Sequence, residues 1–184
     1  MTKDSTQTTD RHAPTPPTPN DTHPLTHHRS TPESQFWALT KHPKQVTSDD
    51  LAAVFDKLQP IAPEKLTGSR WRGYIFHSGH PAEKLVMEDL KFAGKDLISL
   101  NEVNLMVFDG EGNWVKSEEW GTSRLREVKF REVVSAALIY DTKPCIDYWR
   151  GVSDDVVMVA LEDCGSLTQG AGPLFGYMIR VVLE

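Results

Sequence analysis

One aspartate lies among apolar and aromatic residues in the segment CIDYWR, residues 145–150. In an extended segment side chains alternate between two faces, so Asp147 shares a face with Cys145 and Trp149. A carboxylate among apolar neighbours needs a polar partner. It can then act as a general base or as the anchor for a ligand. Asp147 is therefore the first candidate for a functional residue.

Two further side chains could complete an acid–base pair with this carboxylate. The catalytic hypothesis joins Asp147 with Tyr148 or with His80, within hydrogen-bond reach inside the folded domain. The alternative is a structural ion pair between Asp147 and an arginine of a neighbouring strand. The arginines available for that pair are Arg150, Arg126 and Arg131.

His77 and His80 have the spacing H-x-x-H, which raises the question of a metal site. Zinc or iron needs a third ligand and usually a fourth. No histidine follows His80 in the chain, and neither cysteine is part of a C-x-x-C pair, so we predict no metal and no cofactor. His80 precedes Pro81 at a predicted helix start and is expected to bond loop backbone, or else to be a polar group at the mouth of the domain.

The composition excludes several classes of protein. The formal net charge is −6, which argues against a dedicated nucleic-acid binder with a basic face. No apolar run approaches the roughly 20 residues of a membrane span. The N-terminal residues have no hydrophobic core typical of a secretory signal. We therefore expect a cytoplasmic location and thiols, not a disulfide, at Cys145 and Cys164.

Composition also divides the chain into three regions. Residues 1–33 are rich in Thr and Pro and almost lack large apolar side chains, so we predict a disordered tail. Residues 34–65 are a helical lead-in, and residues 66–184 form the folded domain, with halves 66–116 and 117–184. One weaker alternative makes the chain an interaction module whose tail binds a partner.

Periodicity predicts the elements that must position these residues. In TSDDLAAVFDKLQP, Thr47 or Ser48 can cap a helix with one apolar stripe, and PAEKLVMEDLKF also has helical spacing. Seven strand-like runs separated by turn residues follow, which predicts a mainly β, antiparallel β-barrel with two or three short helices. They are VNLMVF, NWVKSEEW, LREVKFRE, VVSAALIY, CIDYWR, DVVMVALED and PLFGYMIRVVL. Strands such as VVSAALIY are apolar on both faces, so we expect the helices to cover the outer one.

Two blocks of the sequence resemble a known pair of domains. WRGYIFHSGHPAEKLVMEDLKFAGKDLISLNEVNLMVF resembles the GXWXG protein family, with its Trp-x-Gly strand, S-G-H turn, helix, and aromatic residue followed by Gly-Lys. FREVVSAALIYDTKPCIDYWRGVSDDVVMVALEDCG resembles the domain of unknown function that follows GXWXG. Ser69 stands where the motif has its first glycine. The resemblance spans about residues 66–182 and implies a calycin-like barrel, although the family has no settled activity.

The Gly-x-Trp start also resembles the first strand of lipocalins, fatty-acid-binding proteins and nitrobindin-like barrels. That resemblance implies that Trp71 packs across the closed end of the barrel, with an arginine stacked on the indole and Gly73 allowing a close approach. In nitrobindin-like barrels the haem-ligating histidine comes late in the chain, where this sequence has none, so we predict no haem.

We expect a barrel of this kind to bind a small hydrophobic or amphipathic molecule, such as a fatty acid or other lipid. The alternative is a cofactor-free isomerase, decarboxylase or hydrolase acting on an apolar substrate. The sequence leaves the oligomeric state open. The predicted ligand-binding residues are Arg72, Phe76, His80, Phe92, Met106, Tyr140, Asp147, Tyr148, Met158 and Tyr177.

Overall fold

The structure, a computed structural model, describes residues 30–41, 46–163 and 165–182. Most of the predicted tail and Cys164 lie outside the described residues. The helices are α1 Pro32–Thr40, α2 Ser48–Phe55 and the short α3 Ala82–Lys84. The strands are β1 Ser69–Ile75, β2 Phe92–Ser99, β3 Glu102–Phe108, β4 Trp114–Lys116, β5 Thr122–Phe130, β6 Val133–Tyr140, β7 Cys145–Ser153, β8 Val156–Asp163 and β9 Leu174–Val181.

The strands form a closed antiparallel barrel, as the sequence predicts. Eight of the described strands pair in the order β1, β2, β3, β5, β6, β7, β8 and β9, and β9 pairs with β1 to close the ring. The short strand β4 pairs with β3 outside this ring. Closure leaves no free sheet edge between the eight strands. None of the described helices is both long and apolar enough to cross a membrane.

The predicted helix over residues 81–92 is confirmed as far as Asp89, with its second part π-helical, and is wrong over its last three residues. Helix α3 ends at Lys84, a π-helical turn covers Leu85–Asp89, and strand β2 already begins at Phe92. At Gly94 the backbone φ is +153°, and a Cβ there would lie 2.0 Å from the carbonyl oxygen of Trp71. The pairing of β2 with β1 and β3 therefore sets the end of the helical segment, although the spacing of the apolar residues is helical up to Phe92. Likewise, only Trp114–Lys116 of the predicted strand 113–120 is extended.

Helices α1 and α2 cover one side of the barrel. The side chain of Thr47 accepts a hydrogen bond from the amide of Asp50 and caps α2, as predicted. The two helices and the outer faces of β8 and β9 share an apolar cluster, which we call the outer cluster. Its buried members include Phe36, Leu51, Phe55, Phe76, Val156, Met158 and Phe175. The expectation that helices cover the second apolar face of a strand is thus met at β8.

The other end of the lead-in helps to close the barrel. Strands β6 and β7 pair only over Ala137–Ile139. Beyond that stretch the chain at 59–61 lies between them, because Gly151 donates its amide to Gln59 O and Ala136 donates to Ile61 O. Residues 59–61 therefore satisfy backbone groups that would otherwise be unpaired.

Trp71 lies inside the barrel. It is fully buried, its ring lies 6.4 Å from that of Trp149, and its Nε1 donates to Ser69 Oγ at 2.8 Å. The guanidinium of Arg180 lies 4.4 Å from the centre of the indole. Arg70 is held elsewhere by a two-point ion pair with Asp96. Trp71 and Trp149 therefore occupy part of the barrel interior.

The close approach at Gly73 gives a test of this packing. A Cβ at Gly73 would lie 2.2 Å from the ring of Phe92. We expect Gly73→Ala to lower the free energy of unfolding by about 1–3 kcal/mol, because the ring must move out of its place. Gly110→Ala is the matched control, since nothing lies within 4 Å of its added Cβ. Equal urea midpoints for the two variants would contradict the packing described here.

Candidate functional site

A lysine lies inside the barrel next to Trp71. Lys95 pairs with Trp71 across β1 and β2, so the two side chains point to the same face of the sheet. Its side chain is 1 % exposed. Lysine side chains are almost never buried without a partner, because removing an ammonium from water is costly. The structure must therefore supply that partner from another strand.

Lys95 forms a closed triangle with Tyr140 and Asp147. The Lys95 Nζ donates to the Tyr140 hydroxyl at 2.5 Å, and it lies 3.2 Å from Asp147 Oδ2. The Tyr140 hydroxyl donates to the same Asp147 oxygen at 3.1 Å. Strands β2, β6 and β7 each contribute one member, so closing the barrel assembles the group. We call these three residues the polar triangle.

The predicted partners of Asp147 differ from the observed ones. Asp147 is buried on the same face of β7 as Cys145 and Trp149, as predicted. Its side chain pairs with Lys95 and Tyr140, in place of Tyr148, His80 or an arginine. Arginine 150 instead donates to the backbone oxygens of Trp149 and Phe130.

Burial changes the ionisation of two members of the triangle. Burial lowers the pKa of Lys95, and the charge and hydrogen bond of Asp147 oppose this shift only in part. Burial and the adjacent Asp147 charge raise the pKa of Tyr140 well above its ordinary value. The phenol therefore stays protonated at neutral pH, while the amine loses its proton more readily than a lysine in water. At neutral pH the site therefore holds a protonated phenol beside an amine of lowered pKa.

Beside the triangle lies a small cavity of about 40 Å³ inside the barrel. Lys95 and Tyr140 contribute its polar atoms, and all the other lining residues are apolar. Strand residues form most of the wall: Ile75, Phe92, Leu105, Leu161 and Leu174. A cavity of this volume can hold water or a compound of a few non-hydrogen atoms.

The connection between β1 and β2, residues 76–91, covers this cavity. Val86 and Leu90 from the connection line it, whereas Leu85 and Met87 are turned to solvent, 42 % and 39 % exposed. Trp120 completes the cover, with its ring 5.3 Å from that of Tyr140. We call residues 76–91 the cover segment. A ligand larger than the cavity would have to displace it.

One carboxylate holds the start of the cover segment. Glu83 Oε1 accepts hydrogen bonds from Ser78 N, Ser78 Oγ and His80 N at 2.7, 2.9 and 2.8 Å. Burial raises the pKa of Glu83, but these hydrogen bonds together outweigh it, so the net shift is downward. The ionised carboxylate therefore fastens the turn that precedes α3.

His80 has the structural role that the sequence suggested first. Its Nδ1 accepts from Ala82 N at 3.1 Å, and its Nε2 lies 3.1 Å from Gly172 O. It is buried but does not line the cavity. With Nδ1 accepting, Nε2 carries the proton and donates to Gly172 O. His80 thus ties the cover segment to the loop before β9.

Several predicted ligand-binding residues lie away from the cavity. Phe76, Met158 and Tyr177 pack in or against the outer cluster, and Tyr148 also packs against it, stacked on Phe130 at 3.8 Å. Met106 lies next to Leu105 on β3 and so faces the opposite side of the sheet. The Arg72 guanidinium lies 4.5 Å from the Phe108 ring, on the face of β1 opposite Trp71. The structure brings Phe92, Tyr140 and Asp147 together.

Lys95 is the residue that the sequence reasoning missed. The signal was present in the motif itself, because Lys95 follows Gly94 in the Gly-Lys element of the resemblance. No group of three or more His, Cys, Asp or Glu side chains within the described ranges could hold a metal ion. The chemistry available there is that of an amine, a phenol and a carboxylate.

Comparisons with known proteins agree with this architecture. Residues 53–112 match the family described as GXWXG protein, and residues 121–180 match a domain of unknown function, DUF4334. The chain therefore has a GXWXG segment followed by DUF4334, as the resemblance implies. A crystal structure of a protein from Thermomonospora curvata is similar, with a TM-score of 0.74 and 28% sequence identity over 82% of this chain and 99% of that one. No curated protein matches the chain.

The ion pair inside the barrel should show strong energetic coupling. We expect Lys95→Met and Asp147→Asn each to lower the free energy of unfolding by about 3–5 kcal/mol, because each leaves a buried group without its partner. The double variant should lose much less free energy of unfolding than the sum of the losses in the two single variants.

The exposed pair Arg70–Asp96 is the control for this cycle. Its side chains are 33% and 22% exposed, so the cycle Arg70→Met and Asp96→Asn should give a coupling of about 1 kcal/mol or less. Urea unfolding measures both cycles. Additive losses at Lys95 and Asp147 would show that they are not paired.

The anchoring of the cover segment should depend on pH. Because the pKa of Glu83 is lowered in the folded protein, its contribution is present above the ordinary carboxylate pKa and is lost as the pH falls through the folded value. Amide exchange at Ser78 and His80 should be faster in Glu83→Gln than in the parent protein at pH 6, and the two should converge in acid. Glu88→Gln, at an exposed position of the same segment, should match the parent throughout.

Proposed function

We propose that this protein binds a small, largely apolar molecule with one polar end inside the barrel. The apolar part would lie against the strand residues of the cavity, and the polar end would lie at Lys95. A buried lysine in an otherwise apolar cavity wall supports this proposal most directly. Apolar walls with a few convergent polar groups are typical of small-molecule sites.

The polar triangle favours a ligand oxygen at the polar end. A protonated lysine has three N–H donors. Two acceptors, the Tyr140 hydroxyl and Asp147 Oδ2, lie within reach of Lys95 Nζ among the described residues. The remaining donor can therefore bond a carbonyl or hydroxyl oxygen of a ligand in the cavity.

The size of the cavity limits the ligand. Sites for drug-sized molecules have about 300–1,000 Å³, whereas this one has about 40 Å³. A fatty acid chain, the first expectation from the sequence, therefore does not fit beneath the cover segment as it stands. A compound of a few non-hydrogen atoms is the better candidate.

A second candidate function is an enzyme without a cofactor. The observation in its favour is the hydrogen-bonded path from Lys95 through Tyr140 to Asp147. Groups with opposed pKa shifts in one buried site are typical of proton transfer. In this version the acid–base residues would be Lys95 and Tyr140, with Asp147 holding them, in place of Asp147 with Tyr148 or His80.

Propionamide, a small amide that does not react with amines, tests the proposal. Saturation-transfer NMR should show its ethyl group in contact with the protein. Val86→Phe, which adds a ring at the cavity, should weaken the binding at least tenfold, or about 1.4 kcal/mol.

Leu85→Phe is the control for that variant. It adds the same kind of bulk to the neighbouring residue, which is turned to solvent, and we expect parent-like binding. If propionamide does not bind, or binds equally well to both variants, the ligand site is not in the barrel cavity.

A further inference from the structure

We propose that Lys95 is a carbonyl-reactive amine and that the cavity takes a short aldehyde or ketone, which Lys95 Nζ converts to an imine. The inference rests on the proposed function, since the carbonyl compound must first enter the barrel cavity. It specifies the substrate class and the atom that reacts.

The geometry around Nζ supports this assignment. A neutral amine has two N–H bonds and one lone pair. Tyr140 and Asp147 together provide two acceptors, at 2.5 and 3.2 Å from Nζ. When both N–H bonds point to these acceptors, the lone pair is left for the cavity that Lys95 lines. The nucleophile is thus held in one orientation beside the space for a carbonyl carbon.

Burial makes Lys95 release its proton more readily than an exposed lysine, because it lowers the pKa of the ammonium, and the reaction needs the neutral amine. Among the described residues Lys95 is the one buried lysine, and desolvation activates amines for attack on carbonyl groups. Asp147 can take up a proton that Lys95 releases, directly or relayed through the Tyr140 hydroxyl, because all three groups are hydrogen-bonded. The carboxylate holds Nζ in place without removing its lone pair from the cavity.

The reaction balances without an oxidant, a reductant or a cofactor. The Nζ lone pair attacks the carbonyl carbon, the carbon–oxygen π electrons move to oxygen, and one proton passes from nitrogen to that oxygen. Loss of the hydroxyl group with a second proton then releases one water and leaves the C=N bond. Tyr140 is the group placed to carry these protons, because its hydroxyl contacts both Nζ and Asp147 Oδ2.

One feature of Asp147 fits such a bound species. Its second oxygen, Oδ1, is buried and has no hydrogen-bond partner among the described residues. Buried carboxylate oxygens are normally bonded. A carbinolamine hydroxyl or a released water is a donor of the type that this oxygen lacks.

Reductive trapping tests the inference. The protein is incubated with propanal and cyanoborohydride near pH 6, where exposed lysines are almost fully protonated. Intact mass spectrometry should show about one added propyl group per chain, and peptide mapping should place it on Lys95. Propionamide, which occupies the cavity without reacting, should prevent most of this labelling.

Variants and competition separate the outcomes. Val86→Phe should lose the label, whereas Leu85→Phe and Lys91→Arg should keep it, so the result does not depend on the folding of a Lys95 variant. If propionamide binds in the cavity but Lys95 is labelled no faster than exposed lysines, the imine is overturned and the binding function stands. If propionamide does not bind and propanal does not label Lys95, both proposals are overturned.

Discussion

The ion pair between Lys95 and Asp147 inside the barrel is the interaction on which the candidate site depends. Neither charge can be buried alone at acceptable cost, so each requires the strand that carries the other. Lys95 belongs to the segment that matches GXWXG, and Asp147 and Tyr140 belong to the segment that matches DUF4334. The site exists only when the two segments close into one barrel. This shared site gives a physical reason for the two segments to occur together.

The rest of the interior keeps the polar triangle in its place. Trp71 and Trp149 pack against each other in the barrel interior, and residues 59–61 fill the gap between β6 and β7. The cover segment closes the cavity, with Glu83 and His80 fixing its first turn. A buried ion pair adds little net stability compared with apolar residues of the same size. Its presence in an otherwise apolar interior is the observation on which the proposed binding function rests.

Alternation along strands predicted part of the site from the sequence. It placed Asp147 on the same face as Cys145 and Trp149, and the turn-separated strands indicated an antiparallel barrel. It could not decide which of two apolar faces is inside, because that depends on where α1 and α2 pack. Phe76 and Met158 are buried because they lie in the outer cluster, beneath these helices. Lys95 was not predicted, in part because the helical spacing of apolar residues continues to Phe92, the first residue of β2. In addition, only the pairing of Lys95 with Trp71 across β1 and β2 shows that its side chain points inward.

The most direct test of the account is an NMR titration of the lysine side chains, observed at Cε in protein labelled on lysine. We expect one lysine resonance that titrates at lower pH than the others, that belongs to Lys95, and that shifts when propionamide binds. If Lys95 instead titrates together with the exposed lysines, near their ordinary pKa of about 10.4, its amine is in water and the barrel does not contain the site described here.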